Sequence, residues 1–501
     1  SFMEWRRLIL ERIRRSADLR EFLRLMALAL PVMGAYLLQM SLGVVNILFV
    51  GHLGQLELAA AALGNMYLNV TGYSVVVGLL SAMDTLCSQF FGRAHDSSLT
   101  AAQQQEARYA VGYVLQRSMC VVTLLCVPVL LLWIFCEQLL LVCGQDPAVA
   151  DAAALFVWYQ LPAFWFYGQY ETLKRYLQAQ SILAPCVIVN CIGLLCNILL
   201  NFLLVYVFEL GLRGSSISMS ISLFTMWLSL AALIRYRGYH RATWEHWSWR
   251  EAFGSWLLYF KLALPGVFML CAEWWAYEVY SLLAGLLGTL ELATEALLLN
   301  TLGLLFQCPL GLSIAASVRV GNQLGAGKPV GALRSARVTT YATLGIMCSL
   351  GALLMACRSV WPYVFSSDPE VIQLSERVLP MLAGLTILDG LQGSLSGVLR
   401  GCGKQVVGAV VNLTCYYLIG LPISALLSFH FSLGLYGLWF GQSIAAFLCS
   451  VCFVLFVFLY RWYVVALVHE ETLCDDELPE RNDCEEVQEP LDGAFEVELQ
   501  E

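Results

Sequence analysis

The sequence predicts an all-α membrane protein: twelve transmembrane helices in two pseudo-symmetric six-helix lobes. Three observations carry that prediction. Hydrophobic residues make up 59% of the 501 and charged residues only 13%, against roughly 45–50% and about 25% in soluble domains. Long apolar runs recur from Phe22 to about Leu467. The second half of the chain repeats the first, motif by motif and in the same order.

A bilayer core about 30 Å thick requires roughly 20 apolar residues per helix. Twelve such runs occur, near 22–49, 58–87, 110–135, 150–173, 183–207, 212–234, 256–287, 292–318, 335–357, 371–398, 406–429 and 435–467. Soluble core helices could supply one or two runs of this kind, not twelve with so few charges between them.

The elements read in order as follows. Residues 1–21 are a basic cytoplasmic arm whose arginines are spread too widely for a cleavable signal peptide. Runs one to six, 22–234, make the N-lobe. Residues 235–255 form a cytoplasmic inter-lobe loop, where Trp244, Trp247 and Trp249 among basic residues suit the headgroup level. Runs seven to twelve, 256–467, make the C-lobe. Residues 468–501 are an acidic cytoplasmic tail. From Glu470 to Glu501 it holds fourteen acids and one arginine, so it carries −13 of the overall −9 and leaves the body at about +4. That composition reads as disordered and solvated.

Lysine and arginine set the orientation. The stretch up to Arg24 holds seven arginines. The even-numbered loops and their margins carry Arg93, Arg108, Arg117, Lys174, Arg175, Arg235, Arg250, Lys261, Arg319, Lys328, Arg334, Arg337, Arg400 and Lys404 among others, whereas the odd-numbered loops hold only Arg213, Arg358 and Arg377. Both termini therefore fall on the cytoplasmic side, which requires an even number of spans.

The repeat is explicit. "LALP" at 28–31 recurs at 262–265, and "GHLGQLELAAAAL" (51–63) parallels "GLLGTLELATEAL" (285–297) at the same offset of 234. "GLLSAMDTLCSQFFG" (78–92) parallels "GLSIAASVRVGNQLG" (311–325), and "LGLRG" (210–214) parallels "LGLYG" (433–437). Six spans is an even number, so both halves cross the membrane in the same sense. Parallel repeats of this kind place a site at their interface.

Several motifs fail on inspection. Most of the eighteen cysteines lie inside apolar runs, where they behave as small hydrophobes. Cys449 and Cys452 form one CxxC without a second pair or a nearby histidine, which argues against zinc or redox chemistry. Cys136 and Cys143 flank one outer loop without requiring a bridge. "GNQLGAGKP" lacks the spacing and the hydroxyl residue of a phosphate-binding loop. "NVT" (69–71) and "NLT" (412–414) are sequons buried in spans. No nucleophile–base pair emerges, so no enzyme, cofactor, metal site or nucleic-acid partner is expected.

The informative residues are acids inside spans. Burying a carboxylate at mid-bilayer costs about 2.5–3.5 kcal/mol on insertion scales, so such residues mark function or a buried partner. "MLCAEWWAYEVYSLLAGLLG" (269–288) carries Glu273 and Glu278, with no lysine or arginine deep in the same span. Five residues of helix turn them about 140° apart, so each faces a different part of one cavity. Asp389 is a third deep acid, midway along run ten. Asp84 and Arg319 lie near the inner edge and read as interfacial or gate-forming. Glu171 has Arg175 four residues on, and a surface i,i+4 pair accounts for it. Trp274, Trp275, Tyr277 and Tyr280 surround the carboxylates; acid beside aromatic faces is the chemistry that holds an organic cation.

Taken together, "GHLGQLELA", "SAMDTLCSQFFG", "CAEWWAYEV", "SVRVGNQLGAG" and "GVLRGCGKQ" resemble the multidrug and toxin extrusion (MATE) transporters, the animal branch in particular, over about residues 20–465. The resemblance implies a V-shaped twelve-helix antiporter that exports organic cations in exchange for an entering proton. It carries the family's span-seven carboxylates onto Glu273 and Glu278, its span-ten glutamate onto Asp389, and an asparagine of span two onto Asn69. The family's span-eight glutamate falls on Asn300, which cannot carry a proton; Glu295 stands more than one turn earlier.

The expected function is a plasma-membrane, monomeric secondary transporter that exchanges organic cations (drugs, toxins, metabolites) for protons by alternating access. Glu273, Glu278 and Asp389 are the proton-coupling acids. Glu273, Trp274, Tyr277, Glu278, Asp389, Asn69 and Asn300 are the substrate contacts. Sodium coupling, a lipid-linked oligosaccharide flippase and a non-exchanging channel are the alternatives; a flippase of anionic substrates would want a basic cavity.

Overall fold

The computed structural model describes residues 17–460 and Trp462. Among these residues the chain is helical throughout, with no strand. Spans 1 to 3 are Ala17–Gly51, Gln55–Arg93 and Ala101–Ile134. Span 4 is a bent pair, Pro147–Trp158 and Leu161–Ala179, turned by 50°. Pro162 opens its second half, and a residue without an amide hydrogen cannot carry the helical ladder across that joint. Spans 5 and 6 are Ala184–Val207 and Gly211–Arg237; spans 7 to 12 are Trp256–Leu287, Thr289–Gly325, Pro329–Ala356, Pro369–Gly401, Gln405–His430 and Leu435–Leu459. The twelve expected spans are thus present, in order. The N-terminal arm up to residue 16 and the acidic tail lie outside the described residues.

Helices overrun the apolar runs where loops 2–3 and 8–9 lie. Span 2 continues to Arg93 and span 8 to Gly325, beyond the runs ending near 87 and 318. Hydropathy marks where lipid ends. These helices continue because polar residues on them pack against protein.

The sequence repeat is also a repeat of backbone. Gly54 and Gly288 take φ +158° and +157° at the matched turns. Ser181 and Gly403 (+62° and +70°), Glu209 and Ser432 (both +53°), and Gly211 and Gly434 (+56° and +55°) pair in the same way. The irregularity between spans 2 and 8 has a local cause. Gly54 to Gly78 is one residue longer than Gly288 to Gly311. Span 2 absorbs the extra residue in a π turn, Asn69–Tyr73, while span 8 stays α-helical throughout. Such single π turns frequently sit at functional sites.

Apolar packing follows the lobes. One large cluster runs through spans 1 to 6 and the start of span 7, and two others fill the second half. A smaller cluster joins them: Leu25, Ala29 and Met33 of span 1 pack on Leu312 and Ala315 of span 8 and on Val338 and Ala342 of span 9. The inter-lobe loop is tied down to the first lobe. Gln116 donates to the His246 carbonyl (2.7 Å), and Tyr176 and Thr243 share a 2.5 Å hydrogen bond. Trp249 is exposed and Trp244 half-buried.

Polar residues seal the lobes together on the face of loops 2–3 and 8–9. Asp84 pairs with Arg175 and lies 3.7 Å from Arg400 of span 10. Thr85 donates to the Arg400 carbonyl (2.6 Å), Gln405 donates to Thr85 (2.7 Å), and Gln89 donates to the Gly401 carbonyl (2.9 Å). Arg319 grips Glu21 at 2.5 Å, and Ser335 donates to the same carboxylate at 2.6 Å. Here the expected Glu171–Arg175 surface pair is corrected. Glu171 is buried and pairs with Lys174 at 2.5 Å, because the second half of span 4 packs on span 2 and gives Arg175 to Asp84 instead. Cys136 and Cys143 are both free thiols, as are Cys449 and Cys452.

A candidate cation site between spans 2, 7, 8 and 10

Span 7 supplies the centre of the site. Its helix is continuous from Trp256 to Leu287 and carries Glu273, Trp274, Tyr277 and Glu278 on the wall of one cavity of about 340 Å³. Span 2 contributes Asn69 and span 10 contributes Asp389. Span 8 closes the cavity with Leu299, Leu302, Gly303, Phe306 and Gln307. The volume lies within the range of small-molecule pockets.

Glu273 and Asp389 are nearly inaccessible, at 5% and 2% exposure. They are close enough to repel each other when both are ionised, and Gln392 lies beside Glu273. The Tyr277 hydroxyl donates to Asp389 Oδ1 at 2.7 Å, and Tyr416 in turn donates to Gln392 Oε1 at 2.7 Å. Glu278 is half-buried, with Asn69 beside it. None of the three acids forms a salt bridge with a described lysine or arginine. Among the described residues, no lysine or arginine lines the cavity; the charge of Arg400 on span 10 reaches Glu273, but that guanidinium already faces Asp84, so negative charge is held in a small space next to aromatic faces with little to offset it. A monovalent organic cation or protons would satisfy it.

The helical geometry explains the placement. Glu273 and Glu278 diverge around span 7, and the cavity is broad enough to reach both. Glu273 turns toward span 10, and Glu278 toward the π turn of span 2. That turn begins at Asn69, so the residue inserted in span 2 sits where the first lobe meets the cavity. Asn69 is the single first-lobe residue lining it among the described residues. The cavity thus belongs mostly to the second lobe rather than being shared equally.

Two expected or ambiguous residues stand elsewhere. Asn300 is exposed, outside the cavity lining, with its amide bonded to the Ala296 carbonyl at 2.7 Å. Glu295 is 1% exposed and accepts a 2.6 Å hydrogen bond from Trp439 Nε1. It is held within the second-lobe core and does not line the cavity. Phe306, Gln307 and Gln392 were not anticipated. Phe306 and Gln307 follow Asn300 by about two turns on the same helix. Gln392 follows Asp389 by three residues, a spacing that puts it on the same face.

The MatE family profile matches residues 31–203 and 265–426, one segment in each lobe. The chain belongs to the MatE family. Multidrug and toxin extrusion protein 1 of Homo sapiens is 37% identical over 450 residues, covering 90% of this chain and 77% of that protein. Multidrug and toxin extrusion protein 2 of Mus musculus is 38% identical over 449 residues, covering 89% and 76%. Among solved structures, the eukaryotic MATE transporter AtDTX14 superposes with a TM-score of 0.85 at 33% identity, covering 91% of this chain and all of that one. The Vibrio cholerae MATE transporter VcmN shares the fold at a TM-score of 0.78 and 18% identity.

This MATE chain is therefore a multi-pass membrane transporter of the multidrug and toxin extrusion class. Its two matched segments bracket the inter-lobe loop, and the second contains Glu273, Glu278 and Asp389. In this MATE transporter the loop 2–3 face is closed by direct backbone approach. A Cβ on Gly92 would come within 2.2 Å of the Asn322 carbonyl oxygen, and one on Gly325 within 2.0 Å of that of Gln89.

Proposed function

We propose that this transporter exports organic cations in exchange for protons by alternating access between its lobes. The single observation that carries the reading is the cavity holding Glu273, Glu278 and Asp389 beside Trp274 and Tyr277, with no lysine or arginine in its lining and no salt bridge to these acids among the described residues. Opened inward, the ionised acids bind a cation and lose their mutual repulsion. Opened outward, protons replace the cation and expel it. The neutral acids then return without the cost of carrying bare charge through a low-dielectric site. Glu273 is the main proton-coupling acid. Glu278 and Asp389 share that role and shape the cation site, with Trp274, Tyr277 and Asn69 lining it. Asn300, placed beyond the lining, acts at most on a cation entering or leaving.

The excess of lysine and arginine on even-numbered loops supports a plasma-membrane orientation with both termini cytoplasmic. One lobe pair encloses the whole cavity, which supports a working monomer. The acidic lining argues against a flippase of anionic lipid-linked sugars. The test is uptake of a tetraalkylammonium ion into proteoliposomes, with proton and sodium gradients imposed separately. Concentrative uptake driven by an outward proton gradient is expected. Uptake driven by sodium alone would assign the coupling ion to sodium, and purely passive flux would remove exchange altogether.

A further inference from the structure

A second, larger cavity of about 760 Å³ opens on the face where span 1 begins. Its walls are the start of span 1 and the turn between spans 8 and 9. Arg20, Arg24, Lys328 and Arg334 line it, all of them exposed. Its one acid, Glu21, is already bound by Arg319 and Ser335. Arg334 lies 3.4 Å from Asp18, a pair open to water and worth little. The cavity therefore presents a surplus of positive charge. It also sits on the seam, since span 1 belongs to one lobe and spans 8 and 9 to the other.

The last described residue ends at the same place. Trp462 is 3% exposed and packs with Val320, Leu324, Ala332 and Ala336, on the ends of spans 8 and 9 that flank the turn. Eight residues later begins the segment Glu470–Glu501, with its net −13. Eight residues reach up to about 27 Å. A segment tethered that closely competes for the cavity at a high effective concentration. Residues 1–16 adjoin the cavity in sequence but hold five arginines and two glutamates, and so repel it.

We propose that the acidic segment 470–501 docks in this cavity and bridges the two lobes on that face. Carboxylates of the segment meet Arg20 and Arg24 on one wall and Lys328 and Arg334 on the other.

The segment carries its own reporters, Cys474 and Cys484. Val330 lines the cavity and is 45% exposed. In the full-length protein in proteoliposomes, Val330→Cys under mild oxidation is expected to crosslink to Cys474 or Cys484, read by mass spectrometry of the joined peptides. Val406→Cys, exposed on the same face but outside the cavity, is the collision control. The crosslink is expected to fall about tenfold in Arg20→Glu/Lys328→Glu/Arg334→Glu and to weaken as salt rises. Equal crosslinking at Val330→Cys and Val406→Cys would overturn the proposal. So would absence of the crosslink, or its loss only when phosphatidylinositol bisphosphate is in the vesicles, which would assign the cavity to anionic lipid. None of these readings depends on transport, so they stand apart from the exchange mechanism.

Discussion

Tyr277 on span 7 donates a 2.7 Å hydrogen bond to Asp389 on span 10, across the floor of the acidic cavity. A carboxylate so held keeps one oxygen oriented by protein and leaves the other for cargo or a proton. Tyr277→Phe removes the donor with almost no change in shape. We expect a KM for organic cation raised several-fold, on the order of 1–2 kcal/mol. A Tyr277→Phe and Asp389→Ala cycle should depart from additivity by at least about 0.5 kcal/mol, since the pair is in contact. Additive effects in uptake assays would mean that the bond is incidental.

Glu273→Gln keeps the size and hydrogen bonding of the side chain and removes its charge and its proton. Uptake driven by an outward proton gradient is expected to vanish while surface expression stays intact. Asp389→Glu keeps the carboxylate and adds one methylene, and is expected to retain gradient-driven uptake with altered KM. The check is initial rate against internal pH for each variant.

Asn300→Ala is expected to leave transport within about twofold, because the amide bonds only to its own helix and lies off the cavity wall. Glu295→Ala should act differently. It strips the acceptor from a buried Trp439 N–H, a loss of about 1–3 kcal/mol. Thermal unfolding in detergent separates the two, with a lowered Tm for Glu295→Ala alone.

Asp84 is held by Arg175 and faces Arg400, so Asp84→Ala leaves two buried guanidinium groups without their anion. Removing one member of a buried pair costs about 3–5 kcal/mol. A marked drop in Tm and in expressed amount is expected, partly recovered in Asp84→Asn, whose amide oxygen still accepts a hydrogen bond.

Much of this was legible in the residues themselves. Twelve apolar runs gave twelve spans because lipid imposes length and composition on each helix. The carboxylates at 273, 278 and 389 stood out as acids deep in their runs, with no lysine or arginine close by in the sequence. What escaped was three-dimensional partnership. Glu171 looked paired with Arg175 by spacing alone, whereas the packing of span 4 on span 2 gave Arg175 to Asp84, ninety-one residues away. The π turn at Asn69 was written only as a single extra residue in one repeat. The basic cavity was invisible because its two walls are some three hundred residues apart.

The seal on the loop 2–3 face yields the last prediction. Gly92 of span 2 meets Asn322 of span 8 with no room for a side chain: an added Cβ would lie 2.2 Å from a backbone oxygen, which cannot rotate aside. The two residues belong to different lobes, so Gly92→Ala penalises only the arrangement in which this face is closed. Gly397 provides the contrast. An added Cβ there would lie 1.9 Å from the Ser313 carbonyl oxygen, but spans 8 and 10 belong to one lobe, so Gly397→Ala costs stability in every arrangement. Ser88 is fully buried against Gly321 in the same seal, and Ser88→Cys reports its opening. Labelling of that cysteine by a membrane-impermeant maleimide from the face of the termini is expected to rise several-fold with Gly92→Ala at a nearly unchanged Tm. With Gly397→Ala the Tm is expected to fall without a matching rise in labelling. If both variants lowered the Tm alike and left labelling unchanged, the seal would be static packing rather than a surface that parts during transport.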